Sequence, residues 1–192
     1  YGGLYREVWL EATAESRLTD LFVYTPTLQE AVVQWTAELT PAAAAVRIRL
    51  ETTEGTLLAE QTAPAAETGK MQLSVPEAQP WDTEHPVLHH AVAELLNAAG
   101  QPIDRKQVTF GFRTAEFRAD GFYLNGKKTF LRGLNRHQSY PYIGYAAPES
   151  LQREDARILR EELHCTAVRT SHYPQSPYFL DECDRRGLLV FT

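Results

Sequence analysis

Cysteine, long apolar runs and clustered basic residues are all scarce in this chain, and each scarcity excludes a class of protein. Only two cysteines occur, Cys165 and Cys183, which is too few for a disulfide framework and is compatible with a reducing compartment. No uninterrupted apolar run approaches the roughly 20 residues that a membrane helix needs, so we expect no membrane partner. The net charge of -6, with Lys127-Lys128 as the single adjacent lysine pair, argues against a nucleic-acid partner, because phosphate contacts need clustered lysine and arginine.

The start of the chain lacks both an initiating methionine and the apolar segment of a signal peptide. It reads Tyr1-Gly2-Gly3-Leu4-Tyr5-Arg6-Glu7, and the continuation to Leu10 is predicted as a strand. We expect this chain to be a piece of a longer, cytoplasmic protein of bacterial type.

Short strand-like runs separated by turn signals fill residues 11–116. Val46-Arg47-Ile48-Arg49-Leu50 alternates apolar and basic residues, as expected when one face of a sheet is buried and the other is wet. Residues 87–96 are ambiguous, because their alanine and leucine content favours a helix. The hairpin-type turn that follows at 97–100 favours a strand. About seven such strands predict a mainly β fold that begins with an immunoglobulin-like sandwich.

The pattern changes after Glu116 to strands that alternate with helices. Asn125-Gly126 predicts a tight hairpin turn. A strand is predicted to end near Leu134, and the next strand spans 165–170. A helix opening at Pro148 joins them, and a largely apolar stripe on one face of it, at Leu151, Asp155, Ile158, Leu159 and Leu163, is expected to pack against strands.

A second helix is predicted from Pro177 to Arg186, with Gly187 as its left-handed C-cap. A third strand follows at 188–191. Residues 117–192 therefore predict the first part of a (β/α)8 barrel, incomplete in this chain.

Two polar clusters lie at the predicted carboxyl ends of consecutive barrel strands. The first is Asn135-Arg136-His137, and the second contains Arg169 and His172. A lone histidine is more often an ordinary surface residue, but barrels place their sites at this end of the strands. The clusters are rich in donors and poor in acids, so they can bind hydroxyls or a carboxylate. Acids on the helices, Asp155 among them, are predicted to be solvated.

A second group of histidines consists of His85, His89 and His90, near Glu84. These residues could form a metal site or could have a structural role. The structural role is favoured, because no cysteine accompanies these residues in the sandwich.

Six short motifs, which follow one another in a fixed order along the chain, resemble those of a known protein family. The spacing of polar and apolar residues alone does not reveal this resemblance. Residues 1–8 resemble the end of the N-terminal sugar-binding jelly roll of glycoside hydrolase family 2. The stretches 80–86 and 110–113 resemble its immunoglobulin-like domain, and the stretches 120–127, 132–137 and 169–174 resemble the start of its catalytic barrel. The resemblance implies a jelly-roll end at 1–10, a sandwich domain at 11–116 and a truncated barrel segment at 117–192.

Within that family, Asn135-Arg136-His137 resembles the β-galactosidase branch, since β-glucuronidase relatives usually carry lysine where this chain has Arg136. The resemblance implies that His137 and His172 bind the galactosyl ring and that Arg169 lies near the nucleophilic carboxylate. Asn135 and Arg136 would support the strand end. Gln138, where many β-galactosidases have glutamate, leaves the exact sugar open.

The resemblance also implies what this chain does not contain. The two catalytic glutamates and the metal ligands of the family would lie beyond residue 192. We therefore expect an inactive chain with no catalytic residue and no metal site of its own, from a parent that uses Mg²⁺ or Na⁺. The expected partner is a β-galactoside or related oligosaccharide, and a homo-oligomer is left open. The alternatives are a β-glucuronidase specificity and a non-catalytic sandwich module for carbohydrate binding or spacing.

Overall fold

The computed structural model describes residues 3–192, and these divide into two units. One unit comprises Glu11–Pro80 and Val87–Thr114. The other comprises Trp81–Pro86 and Ala115–Thr192 together with residues 3–10. No helix within residues 3–192 is both long and apolar enough to span a bilayer.

The first unit is a sandwich of two antiparallel sheets. Its strands in chain order are β1 (Arg17–Thr27), β2 (Glu30–Glu38), β3 (Ala45–Thr52), β4 (Leu57–Pro64), β5 (Thr68–Ser74), β6 (His89–Leu96) and β7 (Pro102–Phe110). One sheet has the order β1-β2-β5, and the other has the order β4-β3-β6-β7. The seven predicted strands and the immunoglobulin-like class are confirmed.

Alternation along β3 shows how the sequence builds this sandwich. Val46, Ile48 and Leu50 are fully buried in the core between the sheets. Arg47 and Arg49 point to the opposite face, where both pair with the carboxylate of Glu94 on β6. The period-2 pattern thus sets one apolar face and one polar face, as the sequence predicted.

The ambiguous segment 87–96 contains a strand, β6, at the centre of its sheet between β3 and β7. Seven of its eight residues are buried, so both faces of this strand are covered. Burial on both faces removes the alternation that normally identifies a strand, which explains why its composition resembled that of a helix.

The second unit begins with a small antiparallel sheet. It consists of β8 (Ala115–Arg118), β9 (Gly121–Leu124) and β10 (Lys127–Lys128), in the order β10-β9-β8. The predicted turn between β9 and β10 is confirmed, with φ of 53° at Asn125 and 75° at Gly126. No sequence pattern predicted β8, whose four residues are all exposed.

A parallel sheet of three strands follows, as expected for the start of a barrel. Its strands are β11 (Gly133–Asn135), β12 (Ala167–Arg169) and β13 (Leu189–Phe191), paired in sequence order. The connections carry α1 (Glu149–Arg157), extended by a π-helical turn at Ile158–Glu162, and α2 (Pro177–Arg186). A Cβ at Gly133 would collide with the carbonyl oxygen of Ala167, so the close approach of β11 to β12 requires glycine there.

Helix α2 has the predicted bounds. Pro177 stands at its first position, and Gly187 ends it with φ of 73° and an N–H donated to the carbonyl of Cys183. The left-handed C-cap predicted from the sequence is therefore confirmed.

Two local predictions are wrong. Residues 7–10 have no regular structure, so the strand predicted to end at Leu10 does not form.

The predicted apolar face of the first helix is also wrong. The buried residues of α1 and its π-helical turn are Gln152, Ala156 and Leu159, whereas Leu163 is 52% exposed. A π-helical turn contains more residues than an α-helical turn, so it rotates the residues that follow it around the helix axis. A constant α-helical spacing therefore misplaces the end of the predicted apolar stripe.

Candidate functional site

The two polar clusters lie at the same edge of the parallel sheet. Asn135 at the end of β11 is in register with Arg169 at the end of β12. His137 and His172 follow these strand ends, with their ring centroids 6.3 Å apart and their planes at 76°. Both rings are exposed, as are Asn135 and Arg169. The fold thus brings the two predicted binding histidines side by side.

Tyr173 links the two loops that carry these histidines. Its hydroxyl lies 3.2 Å from Nδ1 of His137 and accepts the backbone N–H of Gln138 at 3.1 Å. Its ring centroid lies 5.8 Å from that of His137. Sequence reasoning did not assign a role to Tyr173, although it directly follows His172.

Arg136 points inward, away from the exposed side chain of His137, and is only 5% exposed. Its guanidinium forms an ion pair with Asp155 on α1 at 2.7 Å and lies 4.1 Å over the ring of Phe179 on α2. It also donates to Gln152 at 2.7 Å and to the side-chain oxygen of Gln175. One buried side chain therefore holds the loop after β11 against both helices.

Asp155 corrects the prediction that the acids of this helix are solvated. Its Oδ2 accepts a hydrogen bond from Nε of Arg136 at 2.8 Å, and its side chain is 26% exposed. Tyr140 joins the same cluster and donates its hydroxyl hydrogen to the carbonyl of Leu151 at 3.1 Å. Burial, reinforced by Asp155, raises the pKa of Tyr140 to about 12, so this hydroxyl stays protonated as a donor.

The loop after β12 has an unusual backbone. Ser171 and His172 both have positive φ, 40° and 74°, which costs about 1–3 kcal/mol for each non-glycine residue. Neighbouring bonds hold this shape, because Thr170 donates its N–H to the carbonyl of Phe191 at 2.9 Å and Gln175 donates to the carbonyl of Thr170 at 3.1 Å. The turn aims His172 outward while Ser171 stays buried.

The site is rich in hydrogen-bond donors and poor in acids. Within residues 3–192, no carboxylate forms a hydrogen bond or ion pair with His137, Arg169 or His172. The exposed imidazoles and guanidinium can bind hydroxyl or carboxylate oxygens. They do not form the pair of carboxyl groups that glycoside cleavage needs.

Two cavities adjoin this edge of the sheet. A groove of about 570 Å³ runs over β11 and β12 and includes Asn135 and Arg169 in its lining. A smaller pocket of about 240 Å³ is lined by Tyr5, Arg6, Gln138, Tyr145, Tyr173 and Pro174. Arg6 donates to the carbonyl of Pro174 at 2.8 Å, so the segment before Leu10 contributes to this pocket. Sequence reasoning did not predict the contribution of Tyr5 and Arg6.

A metal site does not fit the described residues. No group of three histidine, cysteine or acidic side chains in residues 3–192 is placed to hold an ion. In the sandwich, His89 is 4% exposed and packs edge-on against Phe112, with centroids 5.0 Å apart. Burial lowers the pKa of His89, which favours the neutral ring in this apolar setting.

Comparisons with known proteins agree with this architecture. The family model described as glycosyl hydrolases family 2 matches residues 16–113, and the model for the TIM barrel domain of the same family matches residues 115–192. The β-galactosidase of Thermoanaerobacter pseudethanolicus is 39% identical over 200 residues, covering 100% of this chain and 27% of that protein. The β-galactosidase of Thermoanaerobacterium thermosulfurigenes is 57% identical over 112 residues, covering 58% of this chain and 15% of that protein.

A solved structure is similar over nearly the whole chain. The apo structure of Bacteroides uniformis β-glucuronidase 3 superposes with a TM-score of 0.86 at 30% identity, covering 99% of this chain and 24% of that one. The chain thus spans about a quarter of the length of relatives that match it throughout.

Proposed function

Because the chain belongs to glycosyl hydrolases family 2, we propose that it supplies the sugar-holding part of a retaining β-galactosidase. The observation that carries this proposal is the placement of His137 and His172, 6.3 Å apart beyond the carboxyl ends of two parallel strands. That edge of a barrel sheet is where such folds place their chemistry.

In this proposal, His137 and His172 bind hydroxyl groups of the galactosyl ring. Their hydrogen bonds strengthen as the ring flattens toward the oxocarbenium-like transition state, so they contribute to rate as well as to binding. Tyr173 fixes the orientation of His137 through its hydroxyl, 3.2 Å from Nδ1. Arg136, buried between α1 and α2, holds the loop that presents His137.

Arg169 and Asn135 complete the proposed site. The exposed guanidinium of Arg169 would lie near the nucleophilic carboxylate of the longer protein and keep that carboxylate ionised. Asn135, in register with Arg169 on the neighbouring strand, supports the strand end. The bond-breaking acid and nucleophile belong to the longer protein, so the 192-residue chain is expected to be inactive.

We also propose a cytoplasmic location, because the two cysteines are free and buried, which suits a reducing compartment.

A β-glucuronide is the second candidate substrate. It is favoured by the 0.86 TM-score to Bacteroides uniformis β-glucuronidase 3, and the donor-rich edge would suit a uronate carboxylate. The β-galactoside is preferred, because the β-galactosidase of Thermoanaerobacter pseudethanolicus is 39% identical over the whole chain.

The test compares nitrophenyl β-galactoside with nitrophenyl β-glucuronide, using both the longer protein and the 192-residue chain. We expect the longer protein to prefer the galactoside in kcat/KM and the chain alone to hydrolyse neither. Preference for the glucuronide would replace the proposed substrate. If the 192-residue chain hydrolyses a substrate and His172→Ala abolishes that hydrolysis, the proposal that the chain only holds the sugar is overturned.

A further inference from the structure

The outward-pointing residues of β1, β2 and β5 form a second surface with the chemistry of a binding site. We name this surface, in the sandwich unit, the outer face. The strand register places its side chains in rows. Phe22 lies opposite Gln34, which lies opposite Lys70. The adjacent row consists of Asp20, Thr36 and Thr68.

Two aromatic rings stand exposed beside each other on this face. Phe22 is 55% exposed, and Tyr24 is 42% exposed. Their centroids are 6.2 Å apart, and their planes differ by only 33°, so together they present one broad apolar surface. Single exposed apolar residues need no explanation, but adjacent rings of similar tilt are a surface on which a flat ligand can stack.

The polar side chains around Phe22 form no hydrogen bonds or ion pairs with one another. Within residues 3–192, no hydrogen bond or ion pair involves the side chains of Asp20, Gln34, Thr36, Thr68 or Lys70. The neighbouring row differs, because Gln72 donates to Glu30 at 2.8 Å. The outer face therefore offers a cluster of uncommitted donors and acceptors next to its rings.

These residues line a groove of about 400 Å³. Gly69 and Trp35 also belong to its lining, and the indole ring of Trp35, which is part of the sandwich core, fills the space where a side chain at position 69 would lie. The indole N–H of Trp35 donates to the carbonyl of Ala66 at 3.0 Å, which fixes the ring. The volume falls within the range of about 300–1,000 Å³ that is typical of small-ligand sites.

We propose that the outer face binds a neutral oligosaccharide. The flat C–H face of a pyranose matches the rings of Phe22 and Tyr24, and its rim of hydroxyls matches both donors and acceptors. Asp20 and Lys70 contribute one charge of each sign, so the groove favours a neutral glycan over an acidic one. The site binds without catalysis and does not depend on the assignment of His137 and His172.

An NMR titration of the 192-residue chain tests this proposal. The probes are neutral β-1,4-linked tetrasaccharides of galactose, glucose and mannose, each added to about 10 mM, with a galacturonic acid tetrasaccharide as the charged comparison. We expect saturable binding of at least one neutral probe, with shift changes concentrated on β1, β2 and β5. Phe22→Ala and Gln34→Ala should each weaken that binding, by about tenfold for Phe22→Ala.

Matched controls lie on the other sheet of the sandwich. Leu57, 53% exposed on β4, is replaced in Leu57→Ala, and the exposed Gln61 on the same strand is replaced in Gln61→Ala. Both controls should bind as the unmodified chain does. The proposal is overturned if no neutral probe binds, if Phe22→Ala binds unchanged, if shifts centre on His137 and His172, or if the acidic probe binds more tightly.

Discussion

Arg136 is the residue on which the geometry of the two site loops depends. Its guanidinium is buried and contacts Asp155, Gln152, Gln175 and Phe179, so it connects the loop after β11 with α1, α2 and the segment before α2. The family resemblance implied a supporting role for Arg136. It did not reveal the partners, because Gln152 and Gln175 lie 16 and 39 residues away and only the fold brings them together.

Replacing Arg136 should therefore weaken the second unit. Removing one partner of a buried ion pair costs about 3–5 kcal/mol, and we expect the lower end for Arg136→Ala, because the side chain of Asp155 is 26% exposed. Arg136→Lys should recover only part of the loss, since lysine cannot reproduce the planar fork. Urea unfolding followed by circular dichroism measures both variants. Arg132→Ala, at an exposed position, is the control, and equal losses at the two positions would refute the role of Arg136.

At the scale of elements, the carboxylate of Glu182 joins the two helices. Glu182 on α2 accepts hydrogen bonds from Arg153 on α1 at 3.0 Å and from Arg186 on α2 at 2.7 Å. Burial alone would raise its pKa, but the two guanidinium groups outweigh burial, and the pKa of Glu182 is lowered below 4.5. The charged form is thus favoured in the folded state.

This arrangement predicts a pH-dependent effect of Glu182→Gln. Because the folded-state pKa is lowered, the stabilisation is present above about pH 4.5 and is lost as the pH falls through the folded value. At pH 7 the variant should be less stable by about 1.5–3 kcal/mol, and the difference should shrink in acid. Glu154→Gln removes an exposed partner of Arg157 and should change stability little. A loss for Glu182→Gln that is constant from pH 7 to pH 3 would contradict this account.

The elements differ in how far the sequence predicts them, and the reasons are physical. The sequence predicts the ends of helix α2, because Pro177 and Gly187 mark them through local backbone geometry. Strand β8 was missed because its exposed residues form no apolar pattern. The prediction misplaced the buried face of α1 for two reasons. The π-helical turn at Ile158–Glu162 interrupts the α-helical spacing of apolar residues. Gln152 is polar and is buried because it bonds to Arg136, so an apolar pattern does not identify it.

At the scale of the whole molecule, each unit has its own core. The larger core lies between the sheets of the sandwich, around Ile48, Trp35 and Phe112. The smaller core lies in the parallel-sheet unit, around Phe179, Cys183 and Val168. The sequence predicted a sandwich followed by the start of a barrel, because strand-period patterns and helix-period patterns occupy different halves. The site loops were predicted in position but not in conformation, since the positive φ of Ser171 and His172 depends on bonds to Phe191 and Gln175.

The central claim is that His137 and His172 hold the sugar ring during hydrolysis. The most direct measurement is kcat and KM for nitrophenyl β-galactoside in the longer protein that carries His137→Ala or His172→Ala, with the exposed His85→Ala as the control. Both site variants should lower kcat/KM by about 10- to 100-fold, chiefly through kcat, because these hydrogen bonds strengthen in the transition state. Unchanged kcat/KM in both variants would contradict the claim.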